Sequence, residues 1–160
     1  MIDIKTQYAG LTLRNPIIVG SSGLTNKAER NRDFEKAGAG AIVLKSLFEE
    51  QIEMQSEALM QDSDYPEAAD YIRGYVKANQ VNDYLELIKK SKELCTIPII
   101  ASINCYKADA WIDFARQIEL AGADALELSV FFMETELTED FESIRDTYVS
   151  IIRKVKETVS

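Results

Sequence analysis

The sequence predicts an α/β domain of parallel strands with amphipathic helices packed over them. Two observations carry that expectation. Short, continuous apolar runs at 16–20, 41–45, 98–103 and 125–130 alternate with stretches whose apolar residues recur every three or four positions. In addition, residues 34–45, FEKAGAGAIVLK, are echoed 84 residues later by residues 118–129, IELAGADALELS. In each copy a helix ends at a glycine able to take positive φ, and a tight turn feeds the next strand. The repeat points to a barrel-like series of βα units, although a flavodoxin-like open sheet shares the same punctuation.

The elements follow in order. Ile2-Asp3-Ile4 and Leu11-Thr12-Leu13 alternate around Ala9-Gly10, which suggests a hairpin within residues 1–15, outside the main sheet. Residues 16–160 then read as four βα units. The run Pro16-Ile17-Ile18-Val19-Gly20 is the first strand, and Ser21-Ser22-Gly23 is the loop at its end. A helix starts near Asn26, with Glu29 as its capping-box partner, and closes at Gly38. The second strand, Ala41-Ile42-Val43-Leu44-Lys45, leads into an acidic insert at 47–80, expected as a solvated loop and helix. The following helix carries Val81, Tyr84, Leu85 and Ile88 on one face. A third strand is followed by a helix with the stripe Trp111, Phe114, Ala115 and Ile118. The fourth strand, ALELSV, places Glu127 and Ser129 on one face and Leu126, Leu128 and Val130 on the other. The last helix bears Phe141, Ile144, Tyr148, Ile151, Ile152 and Val155.

Composition narrows the function. With 160 residues, 46% of them hydrophobic and 28% charged, the chain fits a single domain. The net charge is -9, and residues 48–70 hold eight acidic residues and no Lys or Arg, so nucleic acid is an unfavourable partner. No apolar run reaches the ~18 residues of a membrane span, and the start does not read as a leader, so a cytoplasmic location is expected. There is no His, and the only cysteines are Cys95 and Cys105. A Ser-His-Asp triad, a His-containing metal motif and a four-cysteine zinc site are therefore excluded.

In parallel α/β folds ligands sit at the carboxyl ends of the strands. The candidates are thus Ser21, Ser22, Gly23, Lys45, Ser46, Ser102, Asn104, Glu127 and Ser129. Small residues after the first strand let a flat ring or a phosphate approach backbone N–H groups. Lys45, at the end of an apolar strand, must find a partner or reach water through its stem. Glu127 is a candidate partner, as a buried acid across the sheet. Cys105 reads as an ordinary semi-buried thiol.

Three segments, in order and spacing, carry a family resemblance: Asn15-Pro16-Ile17-Ile18-Val19-Gly20-Ser21-Ser22-Gly23, Ala37-Gly38-Ala39-Gly40-Ala41-Ile42-Val43-Leu44-Lys45-Ser46, and residues 121–129. Together they closely resemble the N-terminal half of the dihydroorotate dehydrogenases, FMN-dependent TIM barrels of pyrimidine biosynthesis. The resemblance implies a half-barrel holding four of eight strands. It also implies that Ser21, Ser22 and Gly23 line a flavin ring, with Lys45 and Ser46 beside it and Ser102, Asn104 and Ser129 near it. Four departures stand out. Glu127 replaces an Asn, Val130 occupies the position of the catalytic base, and Phe131 and Phe132 replace a Pro and an Asn. The family's substrate-binding Asn-Ser-x-Gly-x-x-Asn segment has no clear counterpart in 70–80.

The expected function is the N-terminal half of an FMN-dependent oxidoreductase of altered or unknown substrate, inactive and binding FMN weakly or not at all as an isolated chain. A small-molecule substrate and a homo-oligomeric state are expected of the longer protein. The alternative is a non-enzymatic half-barrel that closes by pairing with a second copy.

Overall fold

In the computed structural model, residues 2–61, 69–105, 108–130 and 141–159 are described. Phe131, Phe132 and residues 62–68 of the acidic insert lie outside them. Strands β1 (Thr6–Tyr8) and β2 (Leu11–Leu13) form an antiparallel hairpin. Its two-residue loop, Ala9-Gly10, has φ of 47° and 79°, as the tightest hairpin turn requires. The expected Ile2-Asp3-Ile4 strand is replaced by β1. Ile2 and Ile4 are exposed, and their alternation has no partner strand to read it.

The main sheet comprises β3 (Ile18–Val19), β4 (Ala41–Val43), β5 (Leu47–Phe48), β6 (Ile99–Asn104) and β7 (Ala125–Leu128), all parallel. β3 pairs with β4, β4 and β5 both pair with one side of β6, and β7 pairs with the other side. The described strands thus lie side by side in chain order, without the reversal a flavodoxin-like sheet requires. The helices are α1 (Ala28–Lys36), α2 (Glu49–Gln61), α3 (Ala69–Leu94), α4 (Ala108–Leu120) and α5 (Phe141–Thr158).

α1 ends in the expected way. The Ala39 amide bonds to the Phe34 carbonyl and the Gly38 amide to the Glu35 carbonyl, with Gly38 at φ 110°. The same pair of bonds recurs from Ala123 to Ile118 and from Gly122 to Glu119, with Gly122 at φ 93°. The sequence echo is therefore an echo of geometry. The start of α1 differs from expectation. Ser22 and Thr25 form the capping box of a single 3-10 turn, Gly23–Thr25, while Lys27 precedes α1 with no side-chain cap bond.

Two apolar clusters divide the sheet's faces. Ile42, Leu44, Ile99, Ala101 and Ile103 pack with Ile88, Phe114, Ile118 and Ile151 from the helices. Ala41, Val43 and Ile100 face the other way, against Leu13, Leu11, Ile18 and Ala125. The hairpin therefore covers the helix-free face near the strands' N-terminal ends and leaves their C-terminal ends open. Much of the acidic insert is helical, in α2 and the first turns of α3. In α5 only Ile151 and Val155 are buried, while Phe141 and Ile152 are 76% and 50% exposed, so the stripe is narrower than its sequence suggests.

Candidate functional site

The pairing of β4 and β5 with β6 is interrupted by a bulge. Val43 opposes Ile100 and Leu47 opposes Ile103, so four steps of chain on one side face three on the other. One extra residue lies in Leu44-Lys45-Ser46, and such an insertion re-aims the side chains beyond it. Without it, alternation from Val43 would bring Lys45 to the open face. With it, Ser46 takes that place.

A row of hydrogen bonds results. Ser21 Oγ accepts the Ser46 amide at 3.0 Å, and the two hydroxyls lie 3.0 Å apart. Ser46 Oγ lies 2.8 Å from Ser102 Oγ, and Ser102 Oγ donates to Glu127 Oε1 at 2.7 Å. Each hydroxyl has one proton. Ser102 spends its proton on the carboxylate, so Ser46 must donate to Ser102 and Ser21 to Ser46. The row therefore has a single direction, ending at Glu127. Ser102 and Glu127 are directly paired residues of β6 and β7, one same-face step beyond Ile100 and Ala125 in the hairpin-covered cluster.

Tyr84, a buried residue of α3, completes the bulge. The β6 groups left without a strand partner are the amide and carbonyl of Ser102. The amide donates to Tyr84 Oη at 2.8 Å, and Tyr84 Oη donates to the carbonyl at 2.9 Å. Burial pushes the phenol's pKa well above its ordinary value, and the Glu127 charge adds to the rise against the Ser102 hydrogen bond. In the sequence, Tyr84 stands only as a core position, in one stripe with Val81, Leu85 and Ile88. A hydroxyl in an otherwise aliphatic stripe was the available signal, since a buried Tyr O–H needs a partner.

The remaining candidates divide as follows. Ser22 and Gly23 are exposed beside Ser21, with the Ser22 hydroxyl used in capping. Asn104 Nδ2 donates to the Ser129 carbonyl at 2.6 Å and ties the ends of β6 and β7 together. Val130 packs against the main core, with Leu126 and Leu128, as the alternation in ALELSV implies.

The expected Lys45–Glu127 pair is absent. Lys45 Nζ lies 5.1 Å from the centroid of the Phe48 ring, and Glu127 is exposed rather than buried. The bulge is the cause, because it turns Lys45 out of the row. Lys45, Ser46, Asn26 and Tyr84 instead line an open cavity of about 470 Å³ beside it. Cys105 is fully buried, not half-buried, and burial with the nearby Glu49 pushes its thiol pKa up. The thiol therefore keeps its own proton near neutral pH and has no vacancy for another. Among the described residues, no cluster of His, Cys, Asp and Glu could hold a metal ion, and no helix is long and apolar enough to cross a membrane.

No family model matches the chain. Curated relatives do. The catalytic subunit of dihydroorotate dehydrogenase B (NAD(+)) from Thermoplasma volcanium is 28% identical over 171 aligned positions, covering 99% of this chain and 53% of the relative. Its counterpart from Thermoplasma acidophilum is 26% identical over 132, covering 81% of this chain and 42% of the relative. The chain spans about half the length of these relatives. The chain is dihydroorotate dehydrogenase-like, related by sequence to those enzymes over most of its own length.

Proposed function

We propose that this chain is the N-terminal half of an FMN-dependent oxidoreductase of the dihydroorotate dehydrogenase type, with a substrate other than dihydroorotate and little activity as an isolated half. One observation carries the reading. Loops of separate βα units meet at the open strand ends, where Ser21, Ser46, Ser102 and Glu127 form one hydrogen-bonded row. The half-length match to the relatives supports the missing second half, and the side-by-side parallel order supports a half-barrel.

The residues present fit a flavin. Gly20 and Gly23 have open space where a Cβ would stand, and Ser21, Ser22 and Gly23 are exposed, so a flat ring can approach the backbone. Lys45 and Ser46 would stand beside it, the ammonium offsetting negative charge on the ring. Bound FMN would supply the hydride acceptor. Ser102 is wholly buried and acts through Ser46 and Glu127 as a positioning residue. Asn104 and Ser129 fix the neighbouring strand ends. Val130 cannot take a proton, which supports a changed substrate. Glu127 is the exposed acceptor that remains.

The second reading, a non-enzymatic module closed by a second copy, is favoured by β7, whose outer edge has no partner strand among the described residues. Reconstitution of the full natural protein with FMN separates the two. Flavin absorbance retained through gel filtration, with affinity weakened about tenfold or more by Lys45→Glu, supports the enzyme. A protein that elutes as a flavin-free dimer, with no FMN binding on titration, contradicts it.

A further inference from the structure

We infer that the group of a bound ligand that meets Glu127 is a hydrogen-bond donor, of the amidine, guanidine or protonated-amine class, and not a carboxylate. The inference rests on the open strand ends being the ligand face, as proposed above.

Ser21, Ser46 and Ser102 each spend their single hydroxyl proton along the row toward Glu127. Tyr84 spends its own on the Ser102 carbonyl, and the Ser46 amide is spent on Ser21. One N–H of Asn104 is engaged by Ser129, which leaves that side chain a single amide proton. Glu127 is acceptor-only. Its Oε1 is occupied by Ser102, while Oε2 carries no hydrogen bond, and no ion pair includes Glu127, among the described residues.

Among the described residues, the cation that the sequence offers as a partner for Glu127 does not offset this. Lys45 is turned onto Phe48 by the bulge. Among the described residues, Glu127 is therefore an exposed acceptor with its Oε2 open and no cation paired to it. A ligand carboxylate at Oε2 would meet like charge, whereas an amidine would place its N–H groups on the carboxylate. Where the family resemblance expects an Asn, able to donate and accept, this chain holds a group that can only accept.

Benzamidine and benzoate share a ring and differ in this end group, so they are the probes. Ligand-observed NMR titration of the full natural protein should show benzamidine binding at least tenfold tighter than benzoate. Glu127→Gln should remove most of that preference, while Glu142→Gln, an exposed acid on α5, should leave it unchanged. Benzoate binding equally or more tightly would overturn the inference. So would benzamidine binding that survives E127Q or falls equally in E142Q, or no binding of either probe. FMN titration of the same sample keeps the two claims apart. Benzamidine selectivity without FMN binding sinks the flavin reading alone, and FMN binding without benzamidine selectivity sinks only this one.

Discussion

The phenol oxygen of Tyr84 stands in for a length of β-strand: it accepts the Ser102 amide at 2.8 Å and donates to the carbonyl of the same residue at 2.9 Å. A parallel strand normally answers both groups with backbone. Here the bulge at Leu44-Lys45-Ser46 has carried the backbone away, and a helix side chain fills the gap from the core side.

Tyr84→Phe removes that substitute and leaves two buried backbone groups of Ser102 without partners. Unsatisfied buried groups cost about 1–3 kcal/mol each. Urea denaturation should show a loss of about 2 kcal/mol or more, with the slope unchanged. A loss below about 0.5 kcal/mol would mean that water or a strand shift replaces the hydroxyl.

Gly40 sits where the first and second units touch, its amide donating to the Ile17 carbonyl at 2.7 Å. A Cβ there would overlap the Asn15 carbonyl oxygen and stand 2.9 Å from Asn15 Oδ1. Gly40→Ala should destabilise by about 1–3 kcal/mol, the usual cost of overpacking. Gly23→Ala, at a position with open space and no positive φ, is the control and should lie within about 0.5 kcal/mol of wild type.

Both thiols should be inert in the folded protein. Cys95 is pushed up to about 11 by burial and by the neighbouring Glu35, and Cys105 is raised as well. The thiolate is the reactive form. Alkylation by iodoacetamide at pH 8 should therefore be slow until denaturant is added. The sign for stability follows from linkage. Between the ordinary thiol value of about 9 and the folded value of about 11, the unfolded chain loses its proton first, so stability falls as pH rises through that window.

Glu35 works in the opposite direction. Burial raises its carboxyl pKa, but the Thr96 hydroxyl at 2.5 Å and amide at 3.1 Å, together with Arg14, outweigh that and hold it below the usual value. A depressed folded pKa gives stability that is present above the unfolded value and lost as pH falls through the folded one. Glu35→Gln should accordingly flatten the acid limb of a stability profile below about pH 4.5. An unaltered acid limb would show that the Thr96 contacts do not persist in solution.

The sequence made some features legible and hid others for physical reasons. The paired glycines Gly38 and Gly122 were readable because helix ends of this kind need positive φ, a local demand that a glycine announces. The inward and outward faces of β7 were readable because side-chain alternation is local to a strand. The bulge was not, since it exists only relative to β6. The internal echo places Lys45 and Glu127 near the tops of their strands, but one inserted residue turns Lys45 away and brings Ser46 into the row beside Ser102. The cap at Ser22 and Thr25 is hidden in the sequence because Asn26 and Glu29 match the usual capping pattern more closely, although the chain turns once before α1 begins. The exposure of Phe141 and Ile152 depends on what covers α5, which no periodicity records.

Native mass spectrometry of the protein purified from its own source cells tests the central claim most directly, because one spectrum reports chain length, assembly and bound flavin. The half-barrel account predicts a chain about twice the 18.0 kDa of these 160 residues, carrying FMN. A mature 18.0 kDa chain in a flavin-free dimer would contradict it.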